Sequence, residues 1–199
     1  MLRLNKVAVG ALKDISLSLR GGECVCLSGP SGSGKSRLLR AIADLDPHQG
    51  DVELDQTAQG RVSGHAWRQQ VMMVPAESQW WCETVGEHFH SPSEEPPDAL
   101  RFSPDVMTWS VSRLSSGEKQ RLALWRALAR NPRVLLLDEP TANLDDQMTR
   151  QVEAWLVDQI RRRHLIALWV AHDQGQIERV SDRHLGIRGS ALERIDGSH

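Results

Sequence analysis

Apolar positions alternate with polar ones through the first part of the chain, and the period then lengthens. Leu2 to Val9 and Ile15 to Leu19 repeat every second residue, the spacing of half-buried strands. A Gly21-Gly22 turn follows, then a further strand from Glu23 to Ser28. A glycine-rich turn leads into Arg37 to Ala43, whose apolar residues fall at helical spacing. Asp51 to Asp55 and Gln70 to Val74 read as strands separated by a polar loop. Between His90 and Asp98, three prolines and three acids oppose regular structure, which predicts a loop within an inserted lobe. Beyond it come a helix from Ser116 to Arg130, a wholly apolar strand Val134 to Leu137, a helix from Asp146 to Arg163 and a strand Leu165 to Ala171. Helix alternating with buried strand predicts an α/β fold with a mostly parallel sheet.

Composition narrows the class without naming a function. The 199 residues are 40% apolar and 25% charged, values of an ordinary globular protein. A net charge of −2 gives no field that would attract nucleic acid. No apolar run approaches the roughly 18 residues of a membrane span, and the first residues lack the apolar core of a signal peptide, so a cytoplasmic location is expected. Cys24, Cys26 and Cys82 have neither zinc nor disulfide spacing and are expected to be buried, inert thiols.

The chemistry begins at the glycine-rich turn. Gly29, Pro30, Ser31, Gly32, Ser33, Gly34, Lys35 and Ser36 fit the pattern G-x-x-x-x-G-K-S between a predicted strand and a predicted helix. Backbone N–H groups of such a turn cradle phosphate, a lysine reaches the β- and γ-phosphates, and the following hydroxyl ligates Mg²⁺. Asp138 and Glu139 close the apolar strand Val134 to Leu137, where carboxyl ends of parallel strands face a ligand crevice. Asp138 suits a hold on Mg²⁺ and Glu139 a base that polarises water. Together these motifs define a P-loop NTPase.

Leu114-Ser115-Ser116-Gly117-Glu118-Lys119-Gln120 resembles the signature sequence of the ABC ATP-binding subunits, although Ser115 and Glu118 would also make an ordinary capping box. Thr141 to Asp145 resembles that family's D-loop, and Val170-Ala-His172-Asp173 its H-loop. The resemblance implies a P-loop NTPase core with an N-terminal antiparallel β subdomain and a short inserted α-helical subdomain. It implies one ATP-binding domain over 1–199, with 1–75 and 115–199 as core and about 76–114 as the lobe. ATP and Mg²⁺ are the implied cofactors. The implied nucleotide-binding set is Gly29 through Arg37, Ser115, Ser116, Gly117, Glu118 and Asp145. Ser36 and Asp138 would hold the metal; Glu139 and His172 would act in hydrolysis. The partners implied are a like ATPase subunit, in a homodimer or heterodimer, and an integral membrane permease that keeps the chain on the inner face of the plasma membrane. A regulatory nucleotide-binding module with little hydrolysis is the alternative.

This sequence departs from the family pattern in two places. The usual glutamine after the strand Val71 to Val74 is Ala76 here, with Glu77 or Gln79 as nearby substitutes. Family members stack adenine on an early aromatic residue, yet Val7 to Leu12 hold none and the chain has no tyrosine. Trp80 and Trp81 would either anchor the permease or pack within the lobe; Trp67, Trp109, Trp125, Trp155 and Trp169 are expected to pack in the core. The compact chain is similar to small subunits that serve iron or metal export.

Overall fold

The computed structural model describes residues 1–89 and 95–195. Two sheets carry the fold. The first is antiparallel and built from β1 (Leu2–Val9), β2 (Leu12–Leu19), β4 (Gln49–Leu54) and the short β5 (Thr57–Ala58), in the order β2-β1-β4-β5. The second holds β3 (Cys24–Ser28), β6 (Val71–Val74), β7 (Val134–Asp138), β8 (Ile166–Val170), β9 (Arg183–Arg188) and β10 (Ala191–Arg194), in the order β10-β9-β3-β8-β7-β6. Its strands are parallel except for the edge strand β10.

The central strands β7 and β8 are buried along their whole length, as strands covered on both faces must be. Their alternation divides the interior in two. Leu135, Leu137, Ala167 and Trp169 pack with α3 (Ser116–Ala129), α4 (Asp146–Arg162) and α5 (Gln174–Val180). Val134, Leu136, Leu168 and Val170 face the other way, onto α1 (Lys35–Ile42) and the antiparallel sheet. A shift of one residue in either strand would exchange the two cores, so register is tightly specified.

The polar stretch expected as loop between β4 and β6 contains α2 (Gly64–Gln70), started by Ser63, whose hydroxyl accepts from Ala66 N. Trp67 explains why it folds: its ring is buried and its indole N–H donates to Ile42 O at 2.8 Å. Gln59 donates to Ala41 O and Ile42 O at 3.0 and 3.1 Å, so the buried carbonyls at the end of α1 are satisfied from two directions. The expected helix at Arg37 starts two residues earlier, at Lys35.

The expectation of an α-helical lobe needs correction. Among the described residues between β6 and α3 the helical pieces are four 3-10 turns, at Gly86–His88, Asp98–Leu100, Pro104–Thr108 and Val111–Arg113, and no α-helix. Arg101 ends the Asp98–Leu100 turn with φ +53°, and Trp109 and Leu114 end the next two turns in extended backbone, so no run is long enough to propagate. Residues 90–94 of the expected loop lie outside the described residues. Cys24 and Cys26 are buried as expected, whereas Cys82 is only half-buried.

Candidate functional site

The strand order brings three motifs to one edge of the parallel sheet. β3 runs into the glycine-rich loop, β8 next to it ends before His172, and β7 beyond that ends in Asp138. Neighbouring carboxyl ends therefore carry the candidate phosphate cradle and the candidate catalytic acids.

The loop conformation depends on its glycines. Gly29 and Gly34 have φ of +153° and +103°, and a side chain on Gly34 would meet Leu12 Cγ at 3.2 Å. Lys35 is buried and its ammonium donates to Gly29 O and Pro30 O at 2.9 and 3.0 Å, folding the loop around the charge. The Ser33 hydroxyl is buried without a hydrogen-bond partner. An orphaned hydroxyl in the same glycine-rich loop as a buried lysine fits an anionic ligand such as a polyphosphate.

The acids stand opposite. Burial pushes the Asp138 carboxyl up from its ordinary value; the Ser36 hydroxyl bound to it and the Lys35 charge oppose this, while the Glu139 charge adds to it. A hydroxyl and a costly carboxylate side by side suit a hard divalent cation such as Mg²⁺. Glu139 follows with φ +48°, which breaks the strand directly after Asp138, a strained conformation for a glutamate. Its carboxylate Oε1 lies 2.7 Å from His172 Nε2. The two residues share the wall of a cleft of about 400 Å³ with Thr141, Asp146, Asp173 and Gln176.

Beneath that wall runs a network absent from the sequence reading. Glu153 on α4 is 2% exposed and accepts from Gln176 at 2.8 Å and from Arg179 at 2.8 and 3.0 Å. Gln176 also donates to Thr141 Oγ1 at 2.7 Å, so α4, α5 and the segment after Glu139 are tied together. These partners are 23 to 35 residues apart in sequence, and no local pattern announces them.

The signature segment is elsewhere. Ser115 caps α3: its hydroxyl accepts from Glu118 N at 3.2 Å, and its N–H and hydroxyl donate to Glu118 Oε2, each at 2.8 Å. Against the cost of burial, those two donors hold the Glu118 carboxyl below its usual range. Ser115 and Ser116 are exposed, and Gly117 packs so closely on the D-loop that a side chain there would meet Asn143 O at 2.9 Å. Asp145 is occupied in capping α4, accepting from Met148 N at 2.9 Å. Among the described residues, no hydrogen bond or ion pair joins Ser115 to Glu118 with Gly29 to Arg37. The chain presents these as two separate faces.

At Ala76, the expected glutamine's place, Glu77 and Gln79 are both exposed. The buried amide nearby is Gln120, which donates to Pro75 O at 3.4 Å. Trp80 and Trp81 resolve differently: Trp80 packs against the core, while Trp81 is 69% exposed. Arg126 lies over both rings, 4.4 and 5.1 Å from their centroids, and burial lowers its pKa to about 10. His88 supports the pair from below, accepting from the N–H groups of Trp81 and Cys82 at 3.0 Å.

Comparison with known proteins adds the following. The family model described as ABC transporter matches residues 12–142. A sulfate/thiosulfate import ATP-binding protein of Chromobacterium violaceum is 37% identical over 93% of this chain and 56% of its own. A probable iron export ATP-binding protein of Escherichia coli is 35% identical over 83% of this chain and 80% of its own. An Fe(3+) ions import ATP-binding protein of Streptomyces coelicolor is 36% identical over 91% of this chain and 56% of its own. The chain thus spans little more than half the length of two of these relatives. Among solved structures, a dimeric ATP-binding cassette in a post-hydrolysis state with ADP and Pi superposes over the full length of both chains with a TM-score of 0.84 at 24% identity.

Proposed function

The chain belongs to the ABC transporter family, and we propose that it is the ATP-binding and ATP-hydrolysing subunit of a transporter, working on a separate membrane permease. The observation that carries this reading is the convergence of Lys35, Ser36, Asp138, Glu139 and His172 at neighbouring strand ends.

Gly29 to Ser36 bind the triphosphate, Lys35 exchanging its carbonyl partners for phosphate oxygens. Mg²⁺, held by Ser36 and Asp138, would neutralise charge on the β- and γ-phosphates. Glu139 orients a water for in-line attack and accepts its proton, and His172, already bound to Glu139, fixes that carboxylate and faces the γ-phosphate. Ser115, Ser116 and Gly117 of a second subunit complete the site, adding the N-terminal N–H groups of α3. Glu118, which occupies the N–H and hydroxyl of Ser115 in the isolated chain, must yield them for Ser115 to serve the site as the subunits close. The Glu139–His172 contact favours hydrolysis over the regulatory alternative.

Trp81, with Trp80 and Arg126 behind it, is the anchor for the permease, beside a cleft of about 60 Å³ lined by Met72, Val74, Ser78, Ala123 and Ala127. Attachment to the inner face of the plasma membrane would run through that partner; among the described residues no helix is long and apolar enough to cross a membrane. The relatives above differ in cargo and in direction, and both are properties of the permease.

The test is the mass in solution of Glu139→Gln with and without MgATP, beside the ATPase rate of the unmodified chain. ATP-driven dimerisation of the variant together with turnover by the parent is expected. A variant that stays monomeric at saturating MgATP, with an inert parent, overturns the reading. His172→Ala is expected to bind MgATP and lose turnover; full activity would remove it from the mechanism.

A further inference from the structure

We propose that Arg37 is the base-binding residue of this chain, its guanidinium providing the flat face on which the purine stacks; this rests on the ATP reading above. The connection between β1 and β2 is a two-residue turn, Gly10-Ala11, with Val9 paired to Leu12, so nothing projects beyond it. That turn is seated on the phosphate cradle: Leu12 lies against Gly34, and Lys13 N donates to Ser190 O, fixing the hairpin to the turn between β9 and β10. We take the base of a nucleotide whose phosphates lie in Gly29 to Ser36 to run along this hairpin, which closes on the cradle at Gly34.

Arg37 is the side chain that spans the two elements. It rises from the first turn of α1, next to Lys35 and Ser36, and crosses to Gly10, where an added Cβ would meet its Nη1 at 2.8 Å, its Cδ at 3.0 Å and its Cζ at 3.6 Å. Three such approaches, including the central guanidinium carbon, describe a side chain laid along the turn. Any residue but glycine at position 10 would displace it, and Gly10 itself holds φ +59°.

The guanidinium is exposed and makes no hydrogen bond among the described residues. Asp46, whose carboxylate feels the Arg37 charge, is taken by Arg40 through bonds of 3.0 and 2.8 Å. A planar cation with its donors unengaged stacks well on a purine, since guanidinium and base both present π-faces. This accounts for a nucleotide site without an early aromatic residue. Stacking reads the face of the base rather than its edge, so adenine and guanine nucleotides bind with similar affinity.

The test compares affinities for MgATP, MgGTP and magnesium tripolyphosphate in the parent, Arg37→Lys, Arg37→Ala and Arg37→Phe. The parent is expected to favour ATP and GTP alike over tripolyphosphate by about tenfold, the scale of one base stack. Arg37→Lys keeps the charge and loses the plane, so the margin falls to about twofold with tripolyphosphate binding unchanged; Arg37→Phe restores it. If Arg37→Lys keeps the margin, or Arg37→Ala weakens ATP and tripolyphosphate equally, Arg37 is a phosphate contact and the inference fails while the ATP reading stands. A parent that binds neither triphosphate defeats the ATP reading and this one together.

Discussion

The glycine-rich loop and the signature segment serve the same proposed site, yet the fold holds them by opposite means. Gly29 to Ser36 is fixed from outside: Leu12 closes on Gly34, Ile187 on Gly29, and the Lys35 ammonium is buried against two carbonyls. Ser115 to Glu118 is held by its own residues, through a capping box whose donors and acceptors lie within four positions. One segment has its chemistry prepared within the chain. The other is a finished helix start that, under the proposed function, gains chemistry only when a second subunit meets it.

Substitutions at the two segments should therefore separate binding from assembly. Lys35→Ala has the largest expected effect: losing charge-assisted phosphate contacts should weaken MgATP binding by about a hundredfold or more, measured by titration calorimetry. Gly117→Ala comes next. Its methyl would meet Asn143 O, so the D-loop must move; ATP-driven dimerisation should fall at least about tenfold while MgATP affinity of the monomer stays within about twofold. Equal losses in both would mean that the signature face also serves its own chain's cradle. Ser115→Ala removes the cap and should cost about 1 kcal/mol, lowering Tm by about 2–4 °C in calorimetry.

The smallest effect concerns Asp138. Its folded pKa is raised, so the ionised form is disfavoured relative to the unfolded chain, and the stability cost appears as pH rises from the unfolded value through the folded one. Asp138→Asn should therefore make the nucleotide-free protein slightly more stable at pH 7, by less than ~1 kcal/mol, and about equal to the parent in acid. Mg²⁺ affinity of the parent should fall as pH drops through the raised pKa. A variant less stable than the parent at pH 7 would mean that the Ser36 bond outweighs burial.

The same contrast explains what the sequence disclosed. A phosphate cradle needs particular glycines at fixed spacing because backbone must adopt φ values that other residues resist, and Gly29 and Gly34 do so here. Val134 to Leu137 could be read as a doubly covered strand because four consecutive apolar residues fit little else. α2 was hidden because one buried ring, Trp67, holds an otherwise polar helix. The lobe misled because family resemblance supplied α-helices where the backbone leaves helical geometry after single turns. Nothing local in the sequence marks Glu153, Gln176 and Arg179, since their meeting depends on how α4 and α5 pack. The role proposed for Ser115, which needs a second subunit, leaves no mark in one chain beyond the motif itself.

The uneven burial of the indoles gives the molecule a built-in optical label. Trp67, Trp125 and Trp169 sit in the interior, beyond the reach of aqueous quenchers, whereas Trp81 stands largely in water on the face assigned to the permease. Iodide should extinguish chiefly the red edge of the emission, and a partner covering that face should restore it with a shift to the blue. Engagement of the membrane subunit could thus be followed in unmodified protein by its own fluorescence.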